Sequence, residues 1–255
     1  MLRWLRRGAA WVTIGAGSLL VLEAILARRR PFLSDAPSGP LEECFGAGRP
    51  PIHLVVIGDS TAIGVGAGSI DASYPVLLAQ RLAGPFAVRL SVVGRSGARW
   101  ADVAGDLAPK ASELAPDIVF VAVGGNDAIH FTRLGRLNGD IGRALDTLSA
   151  TCPKVVVGLG PRFDTPALMR PLRDLVDARC RAVNRRIVKQ AQGRSILVVD
   201  LRASIGRRFA QDPRRYHSED LFHPGPEGYA LWAEALAGPL ADAAREQAAE
   251  PGAGG

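Results

Sequence analysis

Short apolar runs alternate along this chain with longer stretches in which apolar residues recur at helical spacing. Ile52 to Ile57 is β-branched and apolar throughout, the mark of a strand covered on both faces. Asp117 to Val123, Lys154 to Leu159 and Ser195 to Val199 repeat the pattern, and Phe86 to Val93 alternates before it turns apolar. Tyr74 to Leu82 and Leu137 to Leu148 read as helices. Leu168, Leu172, Leu175, Val176, Val183 and Ile187 mark a long basic helix, and Gly228 to Gln247 a terminal amphipathic one. Strands alternating with helices predict an α/β fold, a five-stranded parallel sheet with helices on both faces. In such folds the site lies beyond the carboxyl ends of the strands.

Before the first strand the pattern changes twice. Gly8 to Ala27 is a 20-residue run broken by one charge, Glu23. As a helix at about 1.5 Å per residue it would span about 30 Å, the thickness of a bilayer's hydrocarbon core. Arginines flank both ends, three on each side, so the charges do not set an orientation. A cleaved signal would need a small-x-small site, and Ala27 leads directly into Arg28-Arg29-Arg30. Residues 1–30 are therefore read as a membrane anchor or signal segment, with the chain held to a membrane as a single-pass protein. Residues 31–51 hold five prolines and three glycines and read as a linker. The folded domain is expected over 52–247, and 248–255 is a tail.

The chain has 255 residues, 47% of them apolar and 22% charged, a globular balance. Its net charge of +6 suggests a nucleic-acid partner until it is located. Residues 1–30 carry +5 of it, so the body is nearly neutral and no nucleic-acid partner is expected. Within the body, residues 162–215 carry +9 and the remainder −8. Arg170, Arg173, Arg179, Arg181, Arg185, Arg186 and Lys189 fall in that stretch. They are read first as solvated helix faces, and as a sharper alternative as a face turned toward anionic lipid headgroups. Cys44, Cys152 and Cys180 are too few for a disulfide framework, although a Cys152–Cys180 bridge is open.

Candidate chemistry gathers at strand ends. The first strand ends in Gly58-Asp59-Ser60, the second in Gly94, the third in Gly124-Gly125-Asn126-Asp127, and Asp220 and His223 stand late in the chain. Serine needs a base, and an imidazole is mostly neutral at pH 7 and can be one. Asp220 is three residues from His223, close enough to hold its tautomer. The window Gly58-Asp-Ser-Thr-Ala62 lacks Gly-x-Ser-x-Gly, which argues against an α/β-hydrolase. Asp59 is read as a cap or turn residue, and Asp127 as a cap orienting the Asn126 loop. His53, His130 and His217 are read as structural. No metal-ligand spacing appears, and no cofactor is expected. Gly64-Val-Gly66-Ala-Gly68 lacks the features of a phosphate loop and reads as a loop bordering an acyl pocket.

These four motifs, in this order, resemble the SGNH (GDSL) hydrolase superfamily over roughly residues 52–245. The resemblance implies a three-layer α/β/α, flavodoxin-like fold and ester hydrolysis or acyl transfer. It implies Ser60 as nucleophile, Asp220 and His223 as the rest of the triad, and Ser60, Gly94 and Asn126 as the oxyanion hole. The expected substrate is a small-molecule, lipid or glycan ester. The alternatives are an acyltransferase with a sugar or lipid acceptor and an inactive binding module on the same scaffold.

Overall fold

A computed structural model of the chain describes Glu23, Leu33, residues 35–37 and residues 42–249. Six strands form one sheet: β1 (Glu42–Phe45), β2 (Pro51–Gly58), β3 (Ala87–Gly94), β4 (Ile118–Ala122), β5 (Lys154–Leu159) and β6 (Ile196–Asp200). Their spatial order is β1-β3-β2-β4-β5-β6. All neighbours are parallel except β1, which runs antiparallel to β3 with Glu42 opposite Ser91 and Phe45 opposite Val88.

The reason β2 reads as a continuous apolar run is visible in its two faces. Leu54 and Val56 pack into one buried cluster with α1 (Tyr74–Leu82), α7 (Leu201–Gln211) and α9 (Pro226–Ala249). Val55 and Ile57 pack into the other with the helical segment 100–113, α5 (Leu134–Thr151) and α6 (Leu172–Ala191). That segment consists of α2 (Trp100–Asp102), a π-turn over Val103–Leu107 and α3 (Ala108–Glu113). Two short helices, α4 (Gly125–Ile129) and α8 (Pro213–Tyr216), and a 3-10 turn over Ile70–Ala72 are also present among the described residues. Alternate residues of each central strand thus leave water on opposite sides, which is what a doubly covered parallel sheet requires.

Three expectations change. The sheet is six-stranded and mixed rather than five-stranded and parallel, and the added strand lies inside the stretch read as a linker. Glu42–Phe45 is mostly exposed and carries two glutamates, so it shows no apolar period. Charge on an edge strand also discourages pairing with another chain. At the other end α9 runs through Ala249, two residues past the expected boundary. The three cysteines are free, so there is no Cys152–Cys180 bridge. Burial pushes the Cys152 and Cys180 thiols up to about 11 and about 12.

The anchor expected over residues 1–30 lies outside the described residues apart from Glu23. Among the described residues no helix is long and apolar enough to cross a membrane. The Glu23 side chain is buried, and its Oε2 accepts the Leu172 N–H at 2.9 Å, at the start of α6.

Candidate active site

β2 delivers Ser60 at the end of the sheet, and a tight turn follows it. Ala62 N–H donates to the Asp59 carbonyl at 3.1 Å and Val65 N–H to the Ser60 carbonyl at 3.0 Å. Gly58 makes the turn possible, because a Cβ there would lie 2.3 Å from the Ala62 Cβ. Asp59 accepts the Thr61 N–H at 3.0 Å and the Thr61 hydroxyl at 2.9 Å, as a turn residue does. Burial pushes its carboxyl pKa up against those bonds.

His223 arrives from the far end of the chain and meets Ser60 directly. Its Nε2 is 3.0 Å from the Ser60 Oγ, with both residues buried. Its Nδ1 is 2.6 Å from Asp220 Oδ2. The other Asp220 oxygen accepts the Ser218 hydroxyl at 2.7 Å and the backbone N–H groups of Phe222 and His223 at 2.9 Å each. Burial raises the pKa of Asp220, but the His223 ring, the Ser218 hydroxyl and these two N–H groups outweigh it and hold the carboxyl well below the usual range. A two-residue ladder ties this turn down: Ser218 N–H donates to the His223 carbonyl at 2.8 Å and Gly225 N–H to the Tyr216 carbonyl at 2.9 Å. Gly66, at φ +88°, lies against the same turn, where a Cβ would sit 2.6 Å from the Pro224 carbonyl oxygen and 3.1 Å from the His223 Cβ. The glycine run after Ser60 therefore makes room for the histidine turn.

Asn126 lies in the first turn of α4, at the end of β4. Its Nδ2 donates to Asp59 Oδ2 at 3.3 Å and to the Ala98 carbonyl at 3.2 Å, longer than the usual 2.9–3.0 Å and so readily exchanged. Asp127, fully buried, accepts the Trp100 N–H at 3.0 Å and locks α4 to the loop after β3. Gly94 closes its strand as the sequence places it. It ends β3 opposite Gly58, and its Cα faces inward, where a Cβ would lie 2.7 Å from Ile63 Cγ2. The loop touches Asn126 four residues later, at the Ala98 carbonyl, and the neighbouring Gly97 has φ +75° with open space around it. The Ser60 and Gly97 N–H groups have no hydrogen-bond partner among the described residues.

Ser60, Asn126 and His223 open onto one cavity of about 110 Å³. Its walls are chiefly apolar, from Ala122, Leu159, Phe163, Leu201, Phe209 and Trp232. Phe163 and Thr165 belong to the segment between β5 and α6, which carries no motif that would place it here. Ala167 N–H donates to the Leu221 carbonyl at 3.2 Å, and the Thr165 hydroxyl donates to the same oxygen, so this segment braces the Asp220–His223 turn. His217 also lines the cavity, while His53 is bonded to the Ser91 hydroxyl at 2.9 Å inside the sheet. Among the described residues no three His, Cys, Asp or Glu side chains gather as metal ligands would.

The depressed pKa of Asp220 has a sign. Its stabilising contribution is complete above the unfolded value, about 3.9, and is lost as pH falls through the lower folded value. Asp220→Asn removes that contribution. The stability gap between wild type and Asp220→Asn, from urea denaturation, is expected to be widest near neutral pH and to narrow below about pH 4. A gap that stays constant down to pH 3 would contradict the carboxylate's network.

Known proteins resemble this chain in sequence and in fold. The model of the GDSL-like Lipase/Acylhydrolase family matches residues 56–231. A GDSL-like esterase of Mycobacterium tuberculosis is 29% identical over 249 residues, spanning 92% of this chain and 79% of the relative. Among solved structures, a G-D-S-L family lipolytic protein of Veillonella parvula superposes with a TM-score of 0.59 at 18% identity, covering 72% of this chain and 95% of that one. The extracellular lipase of Streptomyces rimosus gives 0.56 at 21% identity, covering 72% and 98%. An acetylxylan esterase of Geobacillus stearothermophilus gives 0.54 at 16% identity, covering 81% and 96%. At such identities the structures speak for the fold, and the family match carries the rest: this chain belongs to the GDSL-like lipase/acylhydrolase family and is an esterase or lipase.

Proposed function

We propose that the protein hydrolyses carboxylic esters of short acyl chains through an acyl-Ser60 intermediate. The observation that carries this reading is the unbroken contact from Asp220 through His223 to Ser60, at 2.6 Å and 3.0 Å. His223 Nε2 takes the Ser60 hydroxyl proton as the oxygen attacks the ester carbonyl. The same proton passes to the departing alkoxide, which leaves as alcohol. In the second half His223 takes a proton from water, the hydroxide attacks the acyl carbon, and the proton returns to Ser60. Asp220 stays anionic throughout and steadies the imidazolium. The tetrahedral oxyanion is met by the Ser60 N–H, by Asn126 Nδ2 turned from its long contact with Asp59, and by a backbone N–H of the loop spanning Gly94 and Gly97.

Chain length is argued from the cavity. At about 110 Å³ it is well below the roughly 300–1,000 Å³ of pockets that take drug-sized ligands. Its apolar walls favour a compact acyl group of a few carbons. Across a graded series of nitrophenyl esters, kcat/KM is expected to peak between acetyl and butyryl and to fall by about tenfold or more at octanoyl, as strain replaces burial. A rising trend to decanoyl would contradict the cavity argument.

The nucleophile is tested by Ser60→Ala. It is expected to abolish turnover and labelling by a fluorophosphonate while leaving the thermal unfolding curve in place. Wild-type turnover in the pure variant would end the assignment, and a wild type that neither labels nor turns over would favour a silent binding module. Asn126→Ala separates oxyanion stabilisation from substrate binding. The expected loss is about 100–1,000-fold in kcat with little change in KM. A pure KM effect would make Asn126 a turn residue only.

A further inference from the structure

Many cations between residues 162 and 215 have structural partners. Arg179 donates to the Thr132 carbonyl at 2.6 Å and lies over the Phe131 ring, and Arg186 donates to the Leu134 carbonyl at 3.3 Å, so both tie α6 to the start of α5. Arg194 pairs with Asp146 at 2.8 Å. Arg202 holds both oxygens of Asp177, at 2.7 and 2.8 Å.

Three further cations form a stripe on α6. Arg181, Arg185 and Lys189 follow one another at i, i+4 and i+8 on α6, opposite the face where Cys180, Val183 and Ile187 are buried. With Arg202 they line one open groove of about 460 Å³. Arg181 shares Asp177 with Arg202, and one carboxylate cannot neutralise two guanidiniums. Among the described residues Arg185 and Lys189 form no ion pair. The one acid among the described residues of the lining, Asp200, caps α7 by accepting the Ala203 N–H at 3.0 Å. Like charges at i, i+4 repel, so the fold alone gives no reason for this row.

We propose that the groove seats the phosphates of an anionic phospholipid surface, so that the catalytic domain rests on a membrane through α6. Charge complementarity commits the groove to a polyanion. Its lining has no aromatic side chain on which a base could stack, which disfavours single-stranded nucleic acid. Val188 stands among the cations, 38% exposed, and would enter the headgroup layer with them. Leu159 lines both this groove and the catalytic cavity, so a docked surface would lie next to the cavity. The proposal does not depend on Ser60, because binding is read without turnover.

Flotation of the full chain tests it, with phosphatidylcholine vesicles prepared with and without phosphatidylglycerol. Binding to the zwitterionic vesicles sets the baseline for apolar insertion, and the Arg185/Lys189 variants, which keep residues 1–30 and their +5, show how much of the anionic increment those residues supply. Wild type is expected to bind the anionic vesicles about tenfold or more above that baseline, and high salt is expected to remove the increment. Arg185→Gln/Lys189→Gln is expected to lose most of it, about fivefold for each charge removed, with nitrophenyl ester turnover and the circular dichroism spectrum unchanged. Arg185→Glu/Lys189→Glu is expected to lose more than the glutamine variant does. Wild-type-like anionic binding by either variant would overturn the proposal. Displacement by inorganic phosphate at matched ionic strength would overturn it too, since a single anion does not compete with a surface. Tighter retention of an oligonucleotide than of the anionic vesicles would do the same.

Discussion

A carboxylate taken out of water must find donors or give up its charge. Asp220 finds the His223 ring, the Ser218 hydroxyl and two backbone N–H groups inside a turn of six residues, and the Leu33 N–H at 3.2 Å from outside it. Those bonds do two things at once. They keep the carboxylate charged against its burial, and they fold residues 218–223 so that the His223 ring can stand only one way. Everything else around the site serves that turn. The ladder from Tyr216 to Gly225 closes it, Gly66 gives it room, and the Leu221 carbonyl is held from outside by the segment between β5 and α6. Ser60 needs only the sheet to bring it within 3.0 Å of the ring.

Much of this was legible because it is local. Asp220 and His223 are three residues apart, and Ser60 follows an apolar run that only a central strand explains. The central strands of the sheet were equally plain, since burial on two faces leaves an unbroken apolar signature. What was not legible depends on distant partners. β1 has no apolar period because its charged residues face water on an edge. Nothing near Asp127 announces that it binds the Trp100 N–H, and nothing near Thr165 announces that its hydroxyl meets the Leu221 carbonyl. Gly94 is legible at its strand end, but the turn by which the chain reaches Asn126 at Ala98 is not. The helical segment 100–113 is a different case. Val103, Leu107, Ala108 and Ala111 are buried at helical spacing, but Gly105 and Pro109 interrupt the pattern and a π-turn absorbs the irregularity.

The basic helix divides along similar lines. Arg179 and Arg186 cap loops, and Arg202 is fixed by Asp177 in a forked pair, so these cations hold the domain together. Arg181, Arg185 and Lys189 repel one another along one face. A sequence shows the excess charge of the stretch but not which members have partners. Only the fold separates the cations that brace α6 from those that face outward beside the catalytic cavity.

The central claim, that Asp220 and His223 make Ser60 a nucleophile, is tested most directly by trapping the intermediate. A nitrophenyl butyrate reaction would be quenched in acid within the first turnover and the digested protein mapped by mass spectrometry. The account predicts a butyryl group on Ser60 that forms with the first release of nitrophenol and is missing when His223→Ala is treated alike. A first turnover with no acyl group on the protein, or one carried on another residue, would contradict it.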